Sequence, residues 1–265
     1  MAFLTICITA FIAALLTLFS GFGLGSILLP PFAVFLPLET AIAAVAVVHL
    51  ANNLFKLVLV GKFADRRLVL LFGIPGMAAA VGGALLLKAL GKMAPLGVYH
   101  LGKSEYSLHP LNLVIGFLMI AFAFIDVLPF ASRLAFDRRL LPIGGLISGF
   151  FGGLSGHQGA FRSAFLMRTG LSREAFIGTG VVCAVLIDFA RLIVYTTKFL
   201  TQPLSAVYKG SAGLYVAAAI VSAFAGSYLG ARLFRKVTLR VIQRIVAAML
   251  VLLGLAVAAG LVSQG

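Results

Sequence analysis

The run SGFGLGSILLPPFAVFLP, from Ser20 to Pro37, decides how this chain is laid out. It continues an apolar stretch that begins at Phe3. The whole of Phe3 to Pro37 is too long for one untilted bilayer crossing, which takes about 20 helical residues. Gly21, Gly23, Gly25, Pro30, Pro31 and Pro37 interrupt it. Broken backbone at membrane depth is tolerated only where it is buried in protein or lines a cavity. The segment is therefore either one kinked helix or a hairpin of two short ones, and the choice sets the topology of everything downstream.

The bilayer setting follows from composition. Of 265 residues, 62% are hydrophobic and 11% are charged, and the mean hydropathy is +1.14. A soluble domain carries roughly 25% charged residues, so this chain lacks the polar groups to cover a water-facing surface. Ala41–Val60, Leu68–Leu87, Leu111–Phe130 and Val241–Leu261 are each apolar all round. Barrel strands would alternate with a period of about two, so these runs read as helices. The net charge of +14 does not indicate nucleic acid, because Lys and Arg cluster in short segments between the apolar runs, the pattern of cytoplasmic anchors. Cys7 and Cys183 sit inside apolar runs and offer neither a disulfide framework nor metal spacing, and no cofactor is implied. Met1 to Phe19 lacks a basic leader and a cleavage site, so it is expected to be a retained helix.

The chain also repeats itself. Ser20-Gly21-Phe22-Gly23 returns as Ser148-Gly149-Phe150-Phe151-Gly152-Gly153. A long helix follows each, carrying a polar pair three apart: Asn53 and Lys56, then Asp188 and Arg191. Both helices run into Lys-Phe, at Lys62-Phe63 and Lys198-Phe199. Small-residue helices come next, with Gly73, Gly76, Gly82 and Gly83 matching Gly213, Ala217, Gly226 and Gly230. A closing apolar helix ends each unit. The units are residues 1–131 and 138–265.

Charge selects between the two layouts. With Phe3–Pro37 as one helix, Lys and Arg divide almost evenly between the two sides. With a hairpin, one side collects Lys62, Arg66, Arg67, Arg133, Arg138, Arg139, Arg168, Arg173, Arg232, Arg235, Lys236, Arg240 and Arg244, against Lys88, Lys92, Lys103, Lys198 and Lys209 on the other. Orientation follows the Lys/Arg bias of short loops. The expected fold is therefore an all-α polytopic membrane protein of two inverted repeats. Each repeat is a broken-helix hairpin plus three transmembrane helices, and both termini lie outside the cytoplasm.

Inverted repeats with broken helices meeting near the midplane are an architecture of secondary transporters. Freed helix N-termini present N–H groups to anions, and glycine lets a ligand approach that backbone. The candidate substrate-binding residues are Ser20, Gly21, Gly23, Gly25, His49, Asn52, Asn53 and Lys56 in the first unit. In the second they are Ser155, Gly156, His157, Gln158, Gly159, Arg162, Ser163, Asp188 and Arg191. Ionisable groups at such depth usually face a cavity or a partner. The plainer readings are an Asp188–Arg191 pair on one helical face and snorkelling of Lys56 and Arg162 to the interface. Arg162 follows the break Ser155-Gly156-His157-Gln158-Gly159 with no acid near it in sequence, and is read as an anion clamp.

At these residues the sequence resembles the sulfite exporter (TauE/SafE) family of sulfonate uptake permeases. The likeness spans an N-terminal helix running into Ser20-Gly21-Phe22-Gly23 and the stretch Gly152 to Ser163. Pro30 and Pro31 supply the family's proline in the first half, while Ala164-Phe165-Leu166 carries none in the second. The resemblance implies transport of sulfite, a sulfonate or another small anion across the bacterial inner membrane by alternating access. A small anionic substrate and the lipid bilayer are the implied partners, with a coupling proton or cation and a homodimer left open.

Two rival classes remain. Gly153-Leu154-Ser155-Gly156 matches the Gly-x-Ser-Gly of intramembrane serine proteases, which need a positioned base. None of His49, His100, His109 or His157 lies in a later helix, and His157 reads as poorly placed for Ser155. A non-transporting scaffold is the other alternative.

Overall fold

The computed structural model describes residues 2–20, 23–102, 104–127, 136–196, 210–233 and 240–262. Among them are ten helices. The first five are α1 (Ala2–Ser20), α2 (Leu24–Phe35), α3 (Leu38–Val60), α4 (Arg66–Gly91) and α5 (Pro110–Val127). The second five are α6 (Leu141–Ser155), α7 (Gly159–Leu166), α8 (Arg173–Tyr195), α9 (Gly210–Leu233) and α10 (Arg240–Ala258). The protein is an all-α, multi-pass membrane protein. Large apolar side chains such as Val58, Phe117, Val221 and Leu252 are exposed on its outside, where only lipid would suit them.

Local chemistry sets the breaks. Gly23 turns the chain between α1 and α2 at φ 103°. Gly156 ends α6 at φ 83°, and its N–H bonds the Gly152 carbonyl. Left-handed φ values cost a residue with a Cβ roughly 1–2 kcal/mol, so glycine belongs at both. Leu36 is extended, as the residue before Pro37 tends to be, and α2 stops there. Asp65 caps α4 by accepting from the Leu68 N–H at 3.0 Å, and Ser172 caps α8 by accepting from Ala175. A π-helical turn at Val69–Gly73 lies within α4.

Three details differ from the sequence reading. The first arm is not short, since α1 runs for 19 residues against 12 in α2. The stretch Ser148 to Gly153 is no break but lies inside α6, and the turn that answers Gly23 is Gly156. The polar loop after α4 folds into an antiparallel ribbon, β1 (Gly97–Leu101) and β2 (Ser104–Leu108), which the periodicity of the sequence did not announce. The Lys198-Phe199 helix end lies outside the described residues.

Helix pairing follows small residues. A Cβ on Gly83 would strike the Phe150 carbonyl, one on Gly145 the Phe72 carbonyl, and one on Gly153 the Ala80 carbonyl, so α4 and α6 lie backbone to backbone and run parallel. Their starts are alike as well, Asp65-Arg66-Arg67-Leu68 and Asp137-Arg138-Arg139-Leu140. α1 and α9 repeat the arrangement, with Gly226 against Phe11 and Gly230 against Leu15. α5 and α10 touch at Gly116 and Gly254. At the centre α3 crosses α8. His49 meets Asp188 near the middle, while Gly178 packs on the Val60 carbonyl, so these two helices run in opposite senses.

Candidate functional site

Asp188 organises the polar interior. It is fully buried on α8, and among the described residues no other carboxylate is buried. One of its oxygens accepts from His49 Nδ1 at 2.6 Å and Asn53 Nδ2 at 3.0 Å, both on α3. The other accepts from Gln158 Nε2 at 2.8 Å and pairs with Arg191 Nη2 at 2.8 Å. Counted from their helix starts, Asn53 and Asp188 occupy the same position, as do Lys56 and Arg191. Of the two polar pairs picked out by sequence spacing, Asn53 of the first thus bonds Asp188 of the second at the α3–α8 crossing.

Gln158, the residue before α7, links this cluster to Arg162. Its carbonyl end of the amide accepts from Arg162 Nη1 at 3.0 Å, while its backbone carbonyl accepts from Ser148 Oγ at 2.8 Å. Arg162 is buried and turned inward rather than snorkelling. It lies against Gly180 of α8, where a Cβ would sit 3.5 Å from the guanidinium. Arg191 uses a second glycine notch, at Gly156, and its Nη1 donates to the Gly152 carbonyl at 3.3 Å. Lys56 is buried too, within Coulombic range of Arg162. Among the described residues three basic side chains, Lys56, Arg162 and Arg191, are thus buried against one buried acid. A buried charge without compensation is costly, so such an excess suits an anionic ligand.

The two breaks face each other across a crevice. Gly23, Gly25 and Ser26 line it from the first, Gly156, His157, Gly159, Ala160 and Arg162 from the second, with His49 and Phe122 completing the wall. A Cβ on Gly25 would lie 3.1 Å from the Gly156 carbonyl, so glycine allows this approach. The first turns of α2 and α7 both open here, and neither has a side-chain N-cap. Their leading N–H groups have no acceptor within the helix.

Other candidates are placed differently. Asn52 faces away from the Asp188 cluster, and its Oδ1 accepts from Ser227 of α9 at 2.8 Å. Ser155 donates back to the Phe151 carbonyl at 3.1 Å, and Ser163 is buried. The Ser20 side chain and Gly21 lie outside the described residues. His157 corrects the reading that set it apart from Ser155, because its Nδ1 lies 3.1 Å from the hydroxyl. The pair still lacks a third group to orient the base, since His157 Nε2 has no partner. Among the described residues no group of three or more His, Cys, Asp or Glu could hold a metal.

Several contributors escaped the sequence. Phe122 stacks on His157 with ring centroids 4.7 Å apart, and nothing marks it among 23 phenylalanines. Tyr195 donates to the Gly153 carbonyl at 2.7 Å, tying α8 to α6. Gly180 carried a faint signal, being a glycine eight residues before Asp188 on the same helix. The family model described as Sulfite exporter TauE/SafE matches residues 6–257. No curated relative and no solved structure matches the chain.

Proposed function

This chain belongs to the sulfite exporter TauE/SafE family, and from that premise we propose that it carries sulfite, a sulfonate or a related small anion across the bacterial inner membrane. The crevice between the two breaks is the binding site. One observation carries the reading: two uncapped helix N-termini open into the same crevice beside the buried Arg162. N-terminal N–H groups and the helix dipole favour an anion, and the planar guanidinium fork fits an oxyanion in a way lysine cannot copy.

The layout is that of two inverted repeats working by alternating access. Support comes from pairings that exchange when the halves are swapped: α1 with α9 answers α4 with α6, while α3 with α8 and α5 with α10 answer themselves. The opposed senses of α3 and α8 agree with inversion. The basic side is the cytoplasmic one. On it Asp65 N–H bonds Thr179 Oγ1 and Arg138 bonds the Thr169 carbonyl. At the other end Tyr99 bonds the Ala259 carbonyl, which supports assigning the ribbon and the end of α10 to one side, the outer one in this layout. Single cysteines at Ala64 and Ser104, in a background without Cys7 and Cys183, should react from opposite faces of the membrane. Labelling from one face would end the inverted layout.

Arg162 is the direct test of the site. A charge-assisted hydrogen bond contributes about 1.5–3 kcal/mol, so Arg162→Ala should weaken sulfite binding about ten- to hundredfold. Arg162→Lys, which keeps charge but not the fork, should fall between. Binding by calorimetry on folded, purified variants decides it, and wild-type affinity in Arg162→Ala would remove this residue from the site.

A further inference from the structure

We infer that the anion binds together with one proton, which lies between an anion oxygen and Nε2 of His157. The inference rests on the anion site proposed above and adds what else enters it. The hydrogen-bond network leads there step by step. The Ser155 hydroxyl has a single hydrogen, and it goes to the Phe151 carbonyl. Ser155 Oγ therefore accepts from His157 Nδ1 at 3.1 Å, which places a ring hydrogen on Nδ1. Nε2 is left over. It is buried and has no partner, on a side chain 3% exposed that forms part of the crevice wall. Phe122 stacked on the ring fixes its plane.

A neutral imidazole in that state offers a lone pair at Nε2, in a crevice otherwise furnished with N–H donors. An anion oxygen placed against a lone pair is repelled. A hydrogen between them turns the repulsion into a charge-assisted bond, and it makes no difference whether the anion or the ring is counted as its owner. The surrounding charges favour joint entry. His157 is in Coulombic reach of Arg191 on α8, with Arg162 of α7 and His49 of α3 in the same wall. Asp188 is already occupied by His49, Asn53, Gln158 and Arg191. From α2 and α5 come Gly23, Gly25, Ser26 and Phe122, none of which titrates. A proton entering alone would add positive charge beside these cations, whereas a proton entering with a monoanion adds none. The proton comes from solvent, no covalent bond other than its own changes, and the cargo and proton would travel in the same direction.

Methanesulfonate and sulfite are the probes, measured by calorimetry on the full-length protein in detergent, in buffers of contrasting ionisation heat. Methanesulfonate stays unprotonated in water, so a proton taken up on its binding must come from buffer to the protein. Wild type should take up about one proton per methanesulfonate, by linkage. His157→Gln should bind methanesulfonate with no uptake. Sulfite affinity in wild type should rise as pH falls through the range where bisulfite replaces sulfite. Methanesulfonate binding without proton uptake in wild type overturns the inference whether or not the variant folds, and would mean that water satisfies Nε2. Uptake that persists in His157→Gln places the proton elsewhere, at His49, and overturns it too. If wild type binds neither anion, it is the anion site itself that falls.

Discussion

At the first break Gly23 turns the chain at φ 103°, and the four residues that open α2 are Leu24, Gly25, Ser26 and Ile27. At the second, Gly156 turns it at φ 83°, and after His157 and Gln158 the helix α7 opens with Gly159, Ala160, Phe161 and Arg162. The backbone device is shared, while the side chains are not. The fourth residue of the helix is isoleucine in one break and arginine in the other. The long helices differ in the same sense, with neutral Asn53 standing where Asp188 stands in the second half. The two breaks share the elements that shape a crevice, and two of the three buried basic side chains, Arg162 and Arg191, come from the second half of the chain.

The sharpest contrast is between Asp188 and its counterpart Asn53. Asp188→Ala leaves Arg191 buried without its acid, and removing one partner of a buried ion pair costs ~3–5 kcal/mol. Asn53→Ala removes one hydrogen bond to a charged group, worth about 1.5–3 kcal/mol. Thermal unfolding in detergent should rank them in that order. Equal losses would mean that the crossing works as a symmetric unit after all.

The helix seams should be less unequal. Gly149→Ala drives a Cβ into the Gly76 carbonyl and Gly226→Ala drives one into the Phe11 carbonyl. Overpacking of this kind costs typically ~1–3 kcal/mol, and the two variants should lose similar stability. A large loss at one seam alone, read from unfolding midpoints, would break the correspondence of α1 with α6.

The breaks themselves come next. Alanine at Gly23 or Gly156 pays the left-handed penalty of ~1–2 kcal/mol. Gly156→Ala also presses on Arg191 Nη1, 2.9 Å from the added Cβ, whereas Gly23→Ala meets Thr17 Cγ2 at 3.3 Å and Ile27 Cδ1 at 3.8 Å. Stability should fall in both, and sulfite affinity further in Gly156→Ala. Equal affinity losses would show that the first break contributes as much as the second.

The smallest effect is expected far from both breaks. His100 lies exposed on the ribbon, 3.4 Å from Glu105, and His109 follows the ribbon just before α5. Replacing both by alanine should leave uptake of labelled sulfite into vesicles near wild type, because both lie away from the breaks and substitutions away from the buried core usually stay within about 0.5 kcal/mol. Loss of transport with normal insertion would move the working residues to the ribbon.

What the sequence settled by itself is whatever depends on one helix at a time. Hydropathy and charge density settled the solvent. Glycine and proline settled where α1, α2 and α6 stop, because backbone freedom is local. Spacing of three put Asp188 and Arg191 on one face of α8, and their pairing follows from that alone. The tertiary structure decided what depends on rotation and on contact between helices. Asn52 and Asn53 are adjacent in sequence, yet one bonds Ser227 and the other Asp188, since each step along a helix turns the side chain by about 100°. Gln158 bridging Asp188 to Arg162, the glycine notches at Gly156 and Gly180, and the ring of Phe122 over His157 all arise where α3, α5, α7 and α8 converge. No single helix encodes them, because a hydrogen bond made across 30 to 139 residues of chain depends on how the helices pack.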